Sequence, residues 1–275
     1  MKDIHYILQN FFTHKDFLAP ASQIPGTMFT PLHFLFAAAL LTIIFISALY
    51  VSRRKQLLKP VLAAVWAVMV IWEVVIIWWD STAGIQKGWN LTVNLSLYPC
   101  SLYLYTTPFI LWGKGNVKQA CCGYLCTLGL LGALVNFLFP VTRLLNYSCI
   151  SFAGMHTFCY HGAMFFTFLV IFLSGEHRYD HITTWQELIL PSVPTLLLSV
   201  PANLLNYTMD ADYMFFRGKL PVVATVFRNT RPMLITLTLY LMYILVPALF
   251  YLPSYLRNRR QEEEEERMPA AAELI

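Results

Sequence analysis

The stretch from Asn94 to Leu102 is unusual for the apolar run that contains it. Within nine positions it carries an amide, two hydroxyl groups, a phenol, a proline and the thiol of Cys100. Polar groups cost free energy in hydrocarbon, so such a cluster in a membrane-spanning segment indicates a functional site. Pro99 removes a backbone donor and bends a helix, which frees a carbonyl group beside Cys100. Cys100 is therefore the first candidate for chemistry.

Two histidines, His156 and His161, follow in a later apolar run. A thiol and an imidazole are the minimal pair for covalent acyl transfer, in which the thiolate attacks a carbonyl carbon and the imidazole moves the proton. The two histidines are five residues apart, about 140° around a helix, so they cannot present one tight metal-binding face. We favour His161 as the base, because Gly162 beside it allows another group to approach closely. We expect no metal ion in this site.

Further polar side chains in the apolar runs are candidates for supporting groups. Glu73 either orients a histidine or is a helix-packing carboxyl, because a lone charge in lipid is too costly. The asparagines could donate to an oxyanion. The small residues Cys122, Cys126, Gly129 and Ala133 repeat at helical spacing as a packing seam, which turns Asn136 inward. The supporting set is Glu73, Asn94, Tyr98, Asn136, His156, Asn203 and Asn206.

These residues need a membrane bundle to position them. Hydrophobic residues make up 57% of the 275 positions and charged residues 12%, which predicts an all-α, polytopic membrane protein of the cell membrane. Seven apolar runs are long enough to cross a bilayer: 31–51, 57–79, 91–112, 118–139, 150–173, 187–207 and 231–254. We divide the chain into residues 1–30, an integral domain over 31–256 and a charged tail over 257–275. No nucleic-acid motif occurs.

The first 30 residues and the orientation follow from smaller signals. Ile7, Leu8 and Phe11 lie on one face of a short helix, which either lies at the membrane interface or caps the bundle. The basic run Arg53-Arg54-Lys55 beside the first span predicts an outer N-terminus and an inner C-terminus. The tail beyond Arg257 is then cytoplasmic.

This topology predicts where the polar groups lie in depth. Glu73 and His156 fall roughly 9 Å below the outer boundary, Cys100 roughly 13 Å and His161 roughly 16 Å. The intramembrane polar groups thus share one half of the bilayer. On an ideal helix Cys100 points about 200° away from Tyr98, so both can line one cavity only if Pro99 kinks or unwinds the helix.

Several residues occur in the order that a known family shows. They are Glu73, the run Leu97 to Leu102, Gly132-Ala133-Leu134 with Pro140, His161-Gly162, and Asn206 followed by Asp212 to Phe215 and Lys219. In these positions the chain resembles the YwaF-type integral membrane proteins of bacteria and their animal relatives, transmembrane protein one-six-four. It departs from the bacterial pattern at Tyr98, where a histidine is usual, and at Asp212, where an asparagine is usual.

The resemblance implies a lipid acyltransferase that acts on phospholipids through a cysteine and a histidine, which carry over to Cys100 and His161. Asp212 joins the supporting residues on the same ground. Membrane lipids would be the partners, and a lipid ester as acyl donor would need no cofactor. Two other classes stay open. Glu73, His156 and His161 could form the relay of a small-solute or proton-coupled transporter, or the polar groups could be structural contacts in a membrane scaffold.

Overall fold

The computed structural model describes residues 2–92, 94–141, 143–177, 182–219 and 221–272. Its helices are α1 (Lys2–Gln9), α2 (Pro31–Ser52), α3 (Lys55–Ala83), α4 (Leu102–Trp112), α5 (Gly115–Leu138), α6 (Phe152–Ser174), α7 (Trp185–Met209), α8 (Pro221–Val226) and α9 (Pro232–Ala272). The described residues contain no strand, which confirms the all-α prediction. By length and composition six helices can cross a membrane: α2, α3, α5, α6, α7 and α9.

The helix ends follow from local sequence signals. Thr30 caps α2 by accepting a hydrogen bond from the His33 N–H, and Pro31 occupies the first turn, where no donor is needed. Ser151 caps α6 in the same way. Gly175 ends α6 in the left-handed conformation (φ 73°), which a residue with a Cβ rarely adopts.

The third apolar run differs from its prediction. The span expected over 91–112 is helical only from Leu102, and α4 is therefore roughly 16 Å long, about half of a bilayer. The helix faces expected for Asn94 and Tyr98 do not exist, since neither residue is helical. The count of seven spans stays a prediction, with six full helices and one half helix in the described chain.

Helix α6 is the centre of the bundle. It packs against α2, α3 and α5, and two thirds of its apolar window is buried. The half helix α4 packs between α3 and α5. Lipid-facing positions on the outer helices are apolar, such as Ile46 on α2 and Ile71 on α3, both more than 60% exposed. The burial pattern therefore matches a bundle that lipid surrounds.

The N-terminal residues cover one end of the bundle, which we name the cap end. The Phe152 N–H donates to the Phe11 carbonyl (2.9 Å), and the Trp79 indole donates to the Phe12 carbonyl (3.2 Å). Ile7 is buried at 4% exposure. These contacts favour a cap on the bundle over a helix lying separately at the interface.

The opposite end of the bundle, which we name the tail end, carries the C-terminal extension. The predicted charged tail continues α9 as a helix as far as Ala272, and residues 273–275 lie outside the described residues. Which end faces the cytoplasm stays a prediction.

Candidate functional site

The site centres on the unwound stretch between Asn94 and Ser101, inside the bundle. Carbonyl groups in hydrocarbon need donors when no helix supplies them. Three tyrosine hydroxyls donate to this stretch: Tyr105 to the Ser96 carbonyl (3.1 Å), Tyr124 to the Pro99 carbonyl (2.6 Å) and Tyr160 to the Cys100 carbonyl (3.3 Å). Tyrosines from three helices therefore supply donors to carbonyl groups of this stretch, and the Cys100 carbonyl also accepts from the Tyr103 N–H (3.1 Å).

The loop after α7 closes over the same stretch. The Met214 N–H donates to the Leu97 carbonyl (3.2 Å). The Tyr213 hydroxyl accepts from the Leu95 N–H (3.1 Å) and donates to the Leu91 carbonyl (2.6 Å). The ring of Tyr98 packs on Tyr213 with 5.4 Å between ring centres. The Tyr98 side chain is thus directed toward this loop.

Cys100 lies at the N-terminus of the half helix. The preceding backbone is unwound, Ser101 is the cap residue and α4 begins at Leu102. The Ser101 N–H donates to the Tyr98 carbonyl (2.9 Å), and the Ser101 hydroxyl lies beside the Cys100 sulfur. The start of a helix carries a partial positive charge, which offsets part of the cost of placing negative charge on a nearby sulfur. The thiol is half-buried, which suits a nucleophile that meets a substrate in the bilayer.

Glu73 joins the unwound stretch to α6. Its Oε1 accepts a hydrogen bond from the Ser96 hydroxyl (2.6 Å), and its Oε2 lies 3.0 Å from His156 Nε2. The imidazole and the carboxylate are close, but the angle at Nε2 does not suit a hydrogen bond. A buried carboxylate needs such a partner to remain charged. The pair therefore fixes α3, α6 and the Cys100 stretch relative to one another.

His161 holds one ring nitrogen in a local contact. Its Nδ1 lies 2.8 Å from the Thr157 carbonyl oxygen, and a carbonyl only accepts, so Nδ1 carries the proton. Nε2 then has the lone pair that a general base needs. No hydrogen bond joins Cys100 and His161 in the described chain. Tyr160 links the two regions, because it donates to the Cys100 carbonyl while its ring lies 5.6 Å from that of His161.

Two predicted supporting residues stabilise the loop after α7, and a third, Asn203, joins α7 to α9. The Asn206 amide donates to the Tyr213 carbonyl (2.8 Å) and accepts from the Tyr213 N–H (2.7 Å). Asp212 accepts from the N–H groups of Arg217 and Lys219. Asn203 donates to the Tyr240 hydroxyl. These side chains are engaged in structural contacts.

The remaining two asparagines differ from each other. Asn94 is buried at 9% exposure within the unwound stretch. The Asn136 Oδ1 on α5 is buried and has no hydrogen-bond partner among the described residues. An unpaired buried carbonyl is costly, so Asn136 is the supporting residue whose amide is available to a ligand.

Sequence reasoning missed the tyrosines and a second polar cluster. The only sequence signal for Tyr124 and Tyr160 is that each places a phenol hydroxyl in the middle of an apolar helix, where it needs a hydrogen-bond partner. At the cap end Arg143 makes a two-pronged ion pair with Asp80 (2.9 and 2.5 Å). His14 lies 3.1 Å from Asp16. Within the described chain, no three histidine, cysteine or acidic side chains converge as a metal site.

A bundle of apolar helices with one helix broken at mid-depth around a thiol defines a polytopic membrane protein. Its sequence matches the model of the TMEM164 family over residues 28–254, which is most of the chain. The chain therefore belongs to the TMEM164 family. Comparisons with curated proteins and with solved structures give no match.

Proposed function

We propose that this chain is a lipid acyltransferase that forms a thioester at Cys100. The observation that carries the proposal is the placement of Cys100 at the N-terminus of α4, with the Ser101 hydroxyl beside its sulfur. The partial positive charge at this helix start offsets part of the cost of a negative charge on the buried sulfur, and His161 takes the thiol proton as the sulfur attacks. Family membership supports a membrane setting for this chemistry.

The reaction has two balanced halves. The Cys100 thiolate attacks the carbonyl carbon of a lipid ester, and the tetrahedral intermediate expels the alkoxide, which takes a proton from the imidazolium of His161. A second lipid hydroxyl then attacks the thioester while His161 takes its proton, and the thiolate leaves. The products are a deacylated lipid and a newly acylated one, and no cofactor takes part.

Glu73 and His156 have a positioning role in this proposal. They hold Ser96, four residues before the nucleophile, against α3 and α6. Asn206 is engaged with Tyr213 through both amide atoms, so it is not the oxyanion donor. The Ser101 hydroxyl lies beside the sulfur and is the candidate donor to the oxyanion.

A lipid-like thioester probe tests the nucleophile. We expect the wild type to form a hydroxylamine-sensitive acyl adduct and Cys100→Ala to form none. Cys159→Ala is the matched control, because Cys159 is also a free, half-buried thiol. His161→Gln should slow acylation at least about a hundredfold, the usual contribution of a general base. Equal labelling of Cys100→Ala and wild type would contradict the proposal.

One observation favours a second candidate, a proton-coupled transporter. The buried Glu73–His156 pair is of the kind that proton relays use. However, α3 carries no ionisable residue from Val61 to Trp72, so the relay lacks a continuation toward the tail end along that helix. Uptake driven by a pH gradient in proteoliposomes, abolished by Glu73→Gln but unchanged in Cys100→Ala, would select transport over acyl transfer.

A further inference from the structure

A cavity opens at the tail end of the bundle, remote from Cys100. It has a volume of about 120 Å³ and lies between α3, α4, α5 and α6. Ile110 lies eight residues along α4 from its start at Leu102, roughly 12 Å, and Cys100 lies before that start. The cavity therefore does not belong to the site described above. Its lining comprises Lys55, Leu58, Lys59, Leu62, Ile110, Leu111, Lys118, Cys122, Ile171 and Glu176.

The cavity has a charged mouth and an apolar interior. Lys55 and Lys59 lie one turn apart on the same face of α3, and no carboxylate lies within ion-pair distance of either in the described chain. Lys118 is paired with Glu176 at 3.0 Å. Deeper in, the wall consists of buried aliphatic side chains such as Leu62 and Ile171, each 2% exposed. The unpaired charge at the mouth is therefore positive.

The helix geometry adds to this positive charge. Helix α3 begins at Lys55, and no side chain caps its first N–H groups. Such a helix start attracts anions. From Lys55 to Leu62 the lining extends roughly 10 Å along α3, enough for a head group and the first part of a chain.

We propose that this cavity binds an anionic amphiphile, with its phosphate at Lys55 and Lys59 and its acyl chain against the aliphatic wall. Lysines at membrane boundaries commonly serve as anchors. Here, however, both lysines line a cavity with buried aliphatic walls, and that arrangement matches a molecule with a charged head and an apolar chain. The binding site is distinct from the proposed thioester site and does not depend on it.

Binding to the purified full-length chain tests the charged part. The probes are dodecyl phosphate, phosphatidic acid in nanodiscs and inorganic phosphate, with dodecyl maltoside and phosphatidylcholine as neutral counterparts. We expect both phosphate amphiphiles to be retained in native mass spectrometry. Lys55→Gln with Lys59→Gln should weaken binding about thirtyfold, since each lysine near an anionic lipid contributes about fivefold in affinity. Arg257→Gln with Arg260→Gln, at the same end of the bundle, is the matched control.

Filling the apolar interior tests the chain-binding part. Leu62→Phe should reduce retention of dodecyl phosphate, whereas Ile71→Phe, on the lipid-facing side of the same helix, should not. If Leu62→Phe does not fold, the lysine pair decides the matter alone. Equal retention by the lysine variant and its control, or equal binding of phosphatidylcholine or inorganic phosphate, would overturn the proposal. Cys100→Ala should bind as the wild type does, which separates this site from thioester chemistry.

Discussion

At the residue scale, Asn206 shows how a single amide can hold a loop inside a membrane bundle. It is 2% exposed and meets both backbone polar groups of Tyr213. Tyr213 in turn bonds to Leu91 and Leu95 through its hydroxyl. The position of the loop over the Cys100 stretch therefore depends on Asn206, which acts through Tyr213 and does not contact that stretch itself.

We expect Asn206→Ala to lower the free energy of unfolding by about 2–5 kcal/mol, because it leaves a buried N–H and a buried carbonyl of Tyr213 unpaired. Asn203→Ala is the control, since it loses one contact, to the Tyr240 hydroxyl. Denaturant titration in mixed detergent micelles measures both. A loss in Asn206→Ala no larger than that in Asn203→Ala would show that the Tyr213 contacts contribute little.

A second prediction concerns two helical glycines. A Cβ at Gly154 would overlap the Ser148 carbonyl oxygen, whereas a Cβ at Gly132 would meet no atom within 4 Å. We expect Gly154→Ala to destabilise the fold by about 1–3 kcal/mol, because the backbone must shift. Gly132→Ala should be neutral or slightly stabilising, since alanine favours a helix. Thermal unfolding of the two purified variants compares them, and equal melting temperatures would argue against the close approach of α6 to the preceding loop.

At the scale of elements, the half helix α4 depends on donors from its neighbours. Tyr124 on α5 is fully buried and donates to the Pro99 carbonyl. Removing its hydroxyl leaves that carbonyl unpaired at mid-depth, one residue before Cys100. The same hydrogen bond therefore affects both the stability of the unwound stretch and the position of the Cys100 thiol.

We expect Tyr124→Phe to cost about 1–3 kcal/mol of stability and to change the rate at which maleimide alkylates Cys100. Tyr103→Phe is the matched control, because Tyr103 is also fully buried but its hydroxyl contacts Thr167. The control should lose stability without changing the rate at Cys100. If both variants alter the alkylation rate equally, the Tyr124 contact has no specific effect on the thiol.

The sequence predicted the six full helices because each contains an apolar run long enough to cross a bilayer. Local residues set the ends of these helices, such as Thr30 and Pro31 at the start of α2 and Gly175 at the end of α6. The prediction of a full helix for the third run was wrong for a physical reason. Pro99 indicated where the helix breaks, but contacts with residues far along the chain determine how much of it is unwound. Tyr124 and Tyr160 lie 25 and 60 residues further along the chain from the carbonyls they meet, and no local pattern identifies such pairs.

The candidate site shows the same limit. Cys100, Glu73 and His156 could be chosen from residue type and depth. Glu73 contacts His156 rather than the proposed base His161, so its role as a supporting residue stays a prediction. The roles of Asn203 and Asn206 were not predictable. The sequence does not distinguish an asparagine that binds a substrate from one that hydrogen-bonds to another part of the protein. The assignment of His161 as the base stays a prediction.

At the scale of the whole molecule, both ends of the bundle are held by contacts between distant segments. At the cap end Asp16 accepts from the Ile85 N–H (2.9 Å), and Arg143 pairs with Asp80. At the tail end His177, just beyond α6, lies 2.7 Å from the Tyr251 hydroxyl on α9. The long α9 helix is thus joined to the central helix by a titratable group.

This tail-end contact predicts a pH dependence of stability. Burial lowers the pKa of His177 to about 4, and the Lys118 charge acts in the same direction. The unfolded chain, with a histidine pKa near 6.5, takes up a proton as the pH falls through 6.5, while the folded chain does not until about 4. Stability from this group is therefore complete above about pH 6.5 and is lost progressively toward pH 4, by about 2 kcal/mol at pH 5.

The matched comparison is His177→Gln, which cannot take up the proton. We expect its stability at pH 7 to be lower than that of the wild type, because the contact with Tyr251 changes, but its decline between pH 7 and pH 5 to be smaller by about 2 kcal/mol. Unfolding titrations at several pH values in the same detergent give the difference between the two curves. Other groups titrate equally in both proteins and cancel in that difference. Parallel curves across this range would show that His177 is protonated equally in the folded and unfolded chains.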